Sequence, residues 1–356
     1  MFLNIFNRML KKLQPESSSS STSSFKFSQY IYKENLIDIP QSLIFEESGD
    51  IAKWLSEGTN SFREICNQIP LEKPIEIFWN REQPIHSGIL HEYILQWSNK
   101  HPLINTSIGG ALARPAMFDK QKPIAVFIHG HGMVGGQDRS SLFTQGSPAN
   151  YLLERGYIVW APDNVYHGEL LSLFVNHDFP LMWAKVAADS RIFIEKNLQN
   201  SPRFVLIGVA AGGHTALGMQ LYSGDYEALV TSGSFFPLDL LRRDFRIQGH
   251  PNCFDFRDYV SYLPLFSLCL NNPMQLQMGK NDALWIGGSL KMQTGVFSGT
   301  KRGVFTEESG GGILILKYLA KKVSANNHHF SFLLHDGGHI DIDIQQAVNF
   351  LDRHKL

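Results

Sequence analysis

Two short stretches carry residues whose order could support nucleophilic chemistry. Gly208-Val209-Ala210-Ala211-Gly212 lies between the apolar run Phe204–Val209 and a helix-like segment, and reads strand, tight turn, helix. It is the frame G-x-S-x-G with alanine where serine belongs. Such a turn throws its central residue out at the strand end in a strained conformation, and the flanking glycines let strand and helix backbones nearly touch. The second stretch, His129-Gly130-His131-Gly132, follows the apolar run Ile124–Ile128 directly. A His-Gly loop there can donate a backbone N–H to a developing oxyanion, beside the N–H of the residue after the nucleophile. That reading assigns the two donors to Ala211 and His131.

A carboxylate and an imidazole follow in matching order. Met278-Gly279-Lys280-Asn281-Asp282 closes one apolar run, and Asp336-Gly337-Gly338-His339 follows the last one. Asp282 would orient His339, which would serve as general base and then general acid. Singly, an aspartate in a turn or a histidine after two glycines is more often structural. Their order at the ends of successive strands is what argues for a site. His335 competes with His339 but still sits in strand register, so His339 is preferred. Ser232, Ser234 and Thr215 are near in sequence, yet none stands on the turn. Asp163, after a neighbouring strand, is either a water-activating base or a solvated carboxylate.

Other chemistries fit less well. The Gly208–Gly213 turn lacks Gly-x-Gly-x-x-Gly spacing and follows the third strand of its run rather than the first, which argues against a dinucleotide site. A metal site on His129, His131, His335 and His339 is an outlying reading, since no carboxylate accompanies the paired histidines. Cys66, Cys253 and Cys269 match neither a zinc motif nor a disulfide framework. No cofactor and no metal are expected.

These residues need a sheet to hold them. Ile75–Trp79, Ile89–Trp97 and Ile108–Leu112 read as short strands bounded by Pro, Asn or Gly. After Arg114 strands alternate with helices: Ile124–Ile128, Tyr157–Trp160, Phe204–Val209, Ala228–Thr231, Met274–Met278 and Phe330–Leu334, with helices over Ser147–Arg155, Leu181–Leu198, Gly212–Tyr222 and Ile342–Arg353. The expectation is an α/β chain with a mostly parallel, doubly wound sheet and flanking helices, its site at the carboxyl ends of the strands. No internal repeat is present. Residues 1–24 form a flexible segment with a Ser-rich linker (Ser17 to Ser24), 25–84 an N-terminal extension with a helix near Ile51–Ile65, and 85–356 the α/β domain.

Composition narrows the partners. Lys plus Arg is 32 against Asp plus Glu 33, so no overall charge attracts a polyanion, and nucleic acid is not an expected partner. No apolar run reaches the ~18–20 residues that span a bilayer. Phe2, Leu3, Phe6, Met9, Leu10 and Leu13 fall at helical spacing beside Arg8, Lys11 and Lys12. Met1–Leu13 is therefore either a weak membrane-surface contact or a frayed terminal helix. It lacks the order of a secretory signal, and a cytoplasmic location is expected.

The chain resembles the dienelactone hydrolase and acetyl xylan esterase side of the α/β-hydrolase superfamily. The resemblance runs over Pro123–Gly132, Gly156–Asp163, Gly208–Leu217, Gly279–Asp282 and Gly337–His339, within a region from about Ile85 to the C-terminus. It implies a cofactor-free carboxylic-ester or related acyl hydrolase acting on a small-molecule ester. Ala210 departs from it: without the hydroxyl no acyl-enzyme forms at this position. In a protease triad that loss costs about 10⁶ in turnover. The expectation is an ester-hydrolase scaffold, inactive or strongly impaired. The alternative is a non-catalytic ligand- or protein-binding pseudoenzyme on the same fold. Phe235, Phe236 and Trp285 would line an apolar acyl pocket; core aromatics look the same in sequence. The alanine is either native to a pseudoenzyme or a disabling change in an active esterase.

Overall fold

The central strands are unbroken apolar runs because both their faces are covered. Ile124–Ile128, Phe204–Val209, Ala228–Ser232 and Met274–Gly279 are buried at every position. In the computed structural model the described residues are 59–60, 63–64, 66–67, 74–96, 109–130, 139–164, 179–198, 202–234, 272–281, 329–338 and 340–356. They contain nine strands in one sheet: β1 Glu76–Ile85, β2 Gly88–Gln96, β3 Gly109–Pro115, β4 Ile124–Ile128, β5 Val159–Pro162, β6 Phe204–Val209, β7 Ala228–Ser232, β8 Met274–Gly279 and β9 Phe330–His335. The order across the sheet is β1-β2-β3-β5-β4-β6-β7-β8-β9. β1, β2, β3 and β5 pair antiparallel in succession, and β5 through β9 are parallel.

Four α-helices are described: α1 Pro148–Glu154, α2 Phe179–Lys196, α3 Ala211–Ser223 and α4 Ile344–Arg353. Ser147 caps α1 by accepting the Asn150 N–H, with Pro148 at the first position, where its missing N–H costs nothing. Asp343 caps α4 in the same way through the Gln346 N–H. One face of the sheet, with Ala125, Phe127, Val159, Ala161, Val205 and Ile207, packs on Leu152 and Leu153 of α1 and on Val348, Phe350 and Leu351 of α4. α3 contacts β4, β6 and β7 and packs against α2.

The chain goes from β4 to β5 on one side and then returns past β4 to β6. Right-handed crossovers in opposite directions put successive helices on opposite faces and open a crevice at the strand ends. The crevice belongs to β4 and β6, the strands that end in His129-Gly130 and in the Ala210 turn.

β1 is longer than Ile75–Trp79. It continues to Ile85 through Pro84, which pairs with Ile89. Because β1 is the sheet's edge, the N–H that proline lacks is not needed by a further neighbour. The boundary at residue 84 thus falls within a strand of the common sheet. Described residues between 59 and 67 are helical, and Arg63 Nε donates to the Leu221 carbonyl at the end of α3 (2.7 Å). That places a cation on a helix C-terminus. No helix among the described residues is long and apolar enough to cross a membrane.

Candidate active site

The turn after β6 has the backbone that its sequence demands. Ala210 has φ 50° and ψ −119°, a region that side chains rarely occupy, and it is fully buried. Its N–H donates to the Ser232 carbonyl (2.7 Å) and its carbonyl accepts from the Gly213 N–H (2.9 Å), so neighbouring segments fix the strained residue. A Cβ at Gly212 would collide with the Ile128 carbonyl oxygen, which is why this position must be glycine. Ala211 is the first residue of α3, a position whose N–H the helix itself supplies with no acceptor.

The end of β4 meets this turn. A Cβ built on Gly130 would lie 2.8 Å from the Val209 carbonyl oxygen and 3.0 Å from the Ala210 Cβ, so the His129-Gly130 backbone runs against the elbow. Buried polar groups hold it there. Asn164 Nδ2 donates to the His129 carbonyl (2.7 Å), and Thr215 Oγ1 on α3 donates to Asn164 Oδ1 (3.1 Å).

Asp163 is neither a water-activating base nor a solvated carboxylate. It accepts from Arg139 Nε (2.7 Å) and Nη2 (2.6 Å) and from the Gly109 N–H (3.1 Å). Arg139 Nη1 also donates to Glu92 on β2 (3.2 Å). Burial works against the Arg139 charge, but the hydrogen bonds and charge of Asp163, with Glu92, outweigh it and hold the guanidinium above its usual pKa. A Gly-x-Gly-x-x-Gly spacing does stand in the chain, from Gly130 to Gly135. The next described element after it is the 3-10 turn Arg139–Phe143, and the acidic residue ending the following strand is committed to Arg139, so the dinucleotide reading gains nothing.

The ends of β8 and β9 are stitched together. Lys280 N–H donates to the His335 carbonyl (2.8 Å), Asn281 N–H to the Gly337 carbonyl (3.0 Å), and Asn281 Nδ2 to the Asp336 carbonyl (2.6 Å). Lys280 pairs with Asp336 at 2.8 Å, and this hydrogen bond and charge keep the exposed carboxyl below its usual pKa. Asn281 and Gly338, the residues before Asp282 and His339, therefore belong to one cluster. Asp282 and His339 lie outside the described residues, as do His131, Phe235, Phe236 and Trp285.

His335 has a structural role. Its Nδ1 accepts the Gly337 N–H (3.1 Å), so Nε2 carries the proton that it shares with Ser232 Oγ (3.1 Å). Ser232 Oγ in turn donates to the Asp341 carbonyl (2.6 Å). Both residues are thereby engaged in holding the turn that flanks residue 339. Among the described residues no group of three or more His, Cys, Asp or Glu could hold a metal ion.

Solved structures with this architecture include several esterases. A putative acetyl xylan esterase from Bacteroides fragilis superposes with a TM-score of 0.53 at 14% identity, over 82% of this chain and 77% of that one. A glucuronoyl esterase from Teredinibacter turnerae gives 0.55 at 12% identity over 100% of both chains. Another, from Solibacter usitatus, gives 0.57 at 10% identity, over 86% of this chain and 94% of that one. The fold is that of the α/β-hydrolases. No protein-family model matches the sequence, and no curated protein matches it. Within this α/β-hydrolase sheet Ala210 stands where β6 turns into α3, beside the end of β4.

Sequence reasoning missed Arg139 and Asn164, and weighed Thr215 only as a stand-in nucleophile rather than as a partner of Asn164. Asn164 stands two residues after the end of β5, which was the available signal. Its partners, His129 and Thr215, are 35 and 51 residues away, and only the strand order brings them together.

Proposed function

We propose that this chain is a carboxylic-ester hydrolase scaffold of the dienelactone hydrolase and acetyl xylan esterase type, disabled by alanine at the nucleophile position. The carrying observation is the Ala210 backbone, φ 50° and ψ −119°, kept in a conformation whose use is to aim a side chain from the strand end. In this reading Ala211 and His131 donate to the oxyanion, Asp282 orients His339, and His339 moves the proton. Phe235, Phe236 and Trp285 line the acyl side. The ligand is a small-molecule ester, with no cofactor. The oxyanion donors are backbone groups and survive the loss of the hydroxyl, so ester or carboxylate binding persists while turnover does not.

The test is hydrolysis of a short-chain aryl acetate by this chain and by Ala210→Ser. Serine is expected to raise turnover by several orders of magnitude, since removing the serine of a triad costs about 10⁶. Equal inactivity of two folded proteins would overturn the esterase reading. The non-catalytic binding role would then replace it.

A further inference from the structure

Side chains of the sheet hold the turn that joins β9 to α4. His335, the last residue of β9, is buried, and its Nδ1 accepts the Gly337 N–H at 3.1 Å. Its Nε2 faces Ser232 Oγ at 3.1 Å, and that hydroxyl donates to the Asp341 carbonyl at 2.6 Å. Ser232 is wholly buried at the end of β7, and its own carbonyl accepts the Ala210 N–H at 2.7 Å. Contacts thus run from the strained residue 210 through Ser232 to the turn. Gly337 is wedged within it: a Cβ there would lie 2.6 Å from the Asp341 Cβ and 2.8 Å from His335 Nδ1. A neutral imidazole offers one lone pair and one N–H. The Gly337 N–H takes the lone pair, and the ring N–H goes to Ser232. A proton added to the ring lands on Nδ1, donor against donor with Gly337, while the bond to Ser232 persists.

We propose that His335 is a proton-operated latch on the turn between β9 and α4. Neutral, it fixes Gly337 and so the turn; protonated, it releases Gly337 and directs its new N–H to the Asp341 carboxylate. Asp341 Oδ2 accepts the Gly338 N–H at 2.6 Å in the latched form, so this change of partner loosens both glycine amides. The charged groups around the ring are Asp336 and Asp341 in the turn and Lys280 after β8, whose N–H donates to the His335 carbonyl at 2.8 Å. Lys280 pairs with Asp336 at 2.8 Å, and β7 contributes the uncharged Ser232. Asp341 is therefore the carboxylate that draws the imidazolium. For an esterase the latch sets an acid limit on activity, a consequence that rests on the proposed function; the latch itself does not.

The experiment follows the full chain by NMR from about pH 8 to about pH 5, an interval above the ordinary aspartate value of ~3.9. At the upper end the His335 ring is expected to carry its proton on Nε2. As the ring titrates, hydrogen exchange at the Gly337 and Gly338 amides, corrected for the intrinsic effect of pH, is expected to quicken by at least about tenfold with the ring's own midpoint, the size of one lost hydrogen bond. His335→Asn keeps an acceptor for the Gly337 N–H and cannot titrate, so both amides are expected to stay within about threefold over the same interval. A neutral ring protonated on Nδ1, a ring that stays neutral to the lower end, or glycine amides that do not change as it titrates overturns the proposal. So does an undiminished pH step in folded His335→Asn; if that variant does not fold, the unsubstituted chain decides alone. Neither arm reads activity, so a failure of the esterase reading leaves this result standing.

Discussion

Replacing Arg139 by methionine strands two carboxylates. Asp163 loses hydrogen bonds of 2.7 and 2.6 Å, and Glu92 loses one of 3.2 Å. The side chains of Arg139, Asp163 and Glu92 are only 15%, 17% and 7% exposed, so little solvent replaces the guanidinium. Breaking such a pair from one side costs about 3–5 kcal/mol, because the remaining charge is left uncompensated. Here the lower end applies. Asp163 keeps the Gly109 N–H at 3.1 Å, and Glu92 keeps Gln83 Nε2 at 3.3 Å and the half-exposed Arg81 at 3.8 Å. The expected loss is therefore about 3 kcal/mol, or roughly 4 °C in Tm for a chain of this size. Urea unfolding followed by circular dichroism reads it as a fall in the midpoint at constant slope. Adding Asp163→Asn to Arg139→Met should return part of that stability, since the amide still accepts from Gly109 and carries no charge. A loss under about 1 kcal/mol for Arg139→Met, the size of a surface ion pair, would refute the reasoning.

Two further outcomes follow from the buried and half-buried titratable groups. Burial holds the His354 pKa below its usual 6.5, with the neighbouring charges of His329 and Arg353 acting in the same direction. A depressed pKa means stability present above pH 6.5 and lost as pH falls through the folded value, so Tm should decline over that interval and less so in His354→Gln. An NMR titration of His354 that gave an unshifted pKa would contradict this. Burial also pushes the Cys66 thiol up to about 12, which leaves almost no thiolate at pH 8. Peptide mapping after brief iodoacetamide treatment should find Cys66 unmodified in the folded chain and modified in urea; rapid labelling without denaturant would show that the segment around 59–67 does not stay docked.

The strands and the turn were legible in the sequence because both depend on local pattern. Unbroken apolar runs such as Ile124–Ile128 and Phe204–Val209 have few uses other than a strand covered on both faces, and each recurs with the bounds that the sequence indicated. The glycines around Ala210 were equally informative, since Gly212 has room for no Cβ against the Ile128 carbonyl. The extent of β1 was not legible. Pro84 looks like a boundary along the chain, and only its place at the sheet edge makes it acceptable within a strand. Nor could sequence settle the polar residues at the strand ends. Asp163 is a base, a solvated carboxylate or half of an ion pair according to what faces it, and Arg139, which opens the 3-10 turn Arg139–Phe143, faces it only in the folded chain. His335 and Ser232 lie 103 residues apart and Asn164 and Thr215 51 apart, each pair joined by the order of strands in the sheet. Hydrophobic period is a property of one segment, whereas a buried hydrogen bond needs two segments, and the topology alone decides which two meet.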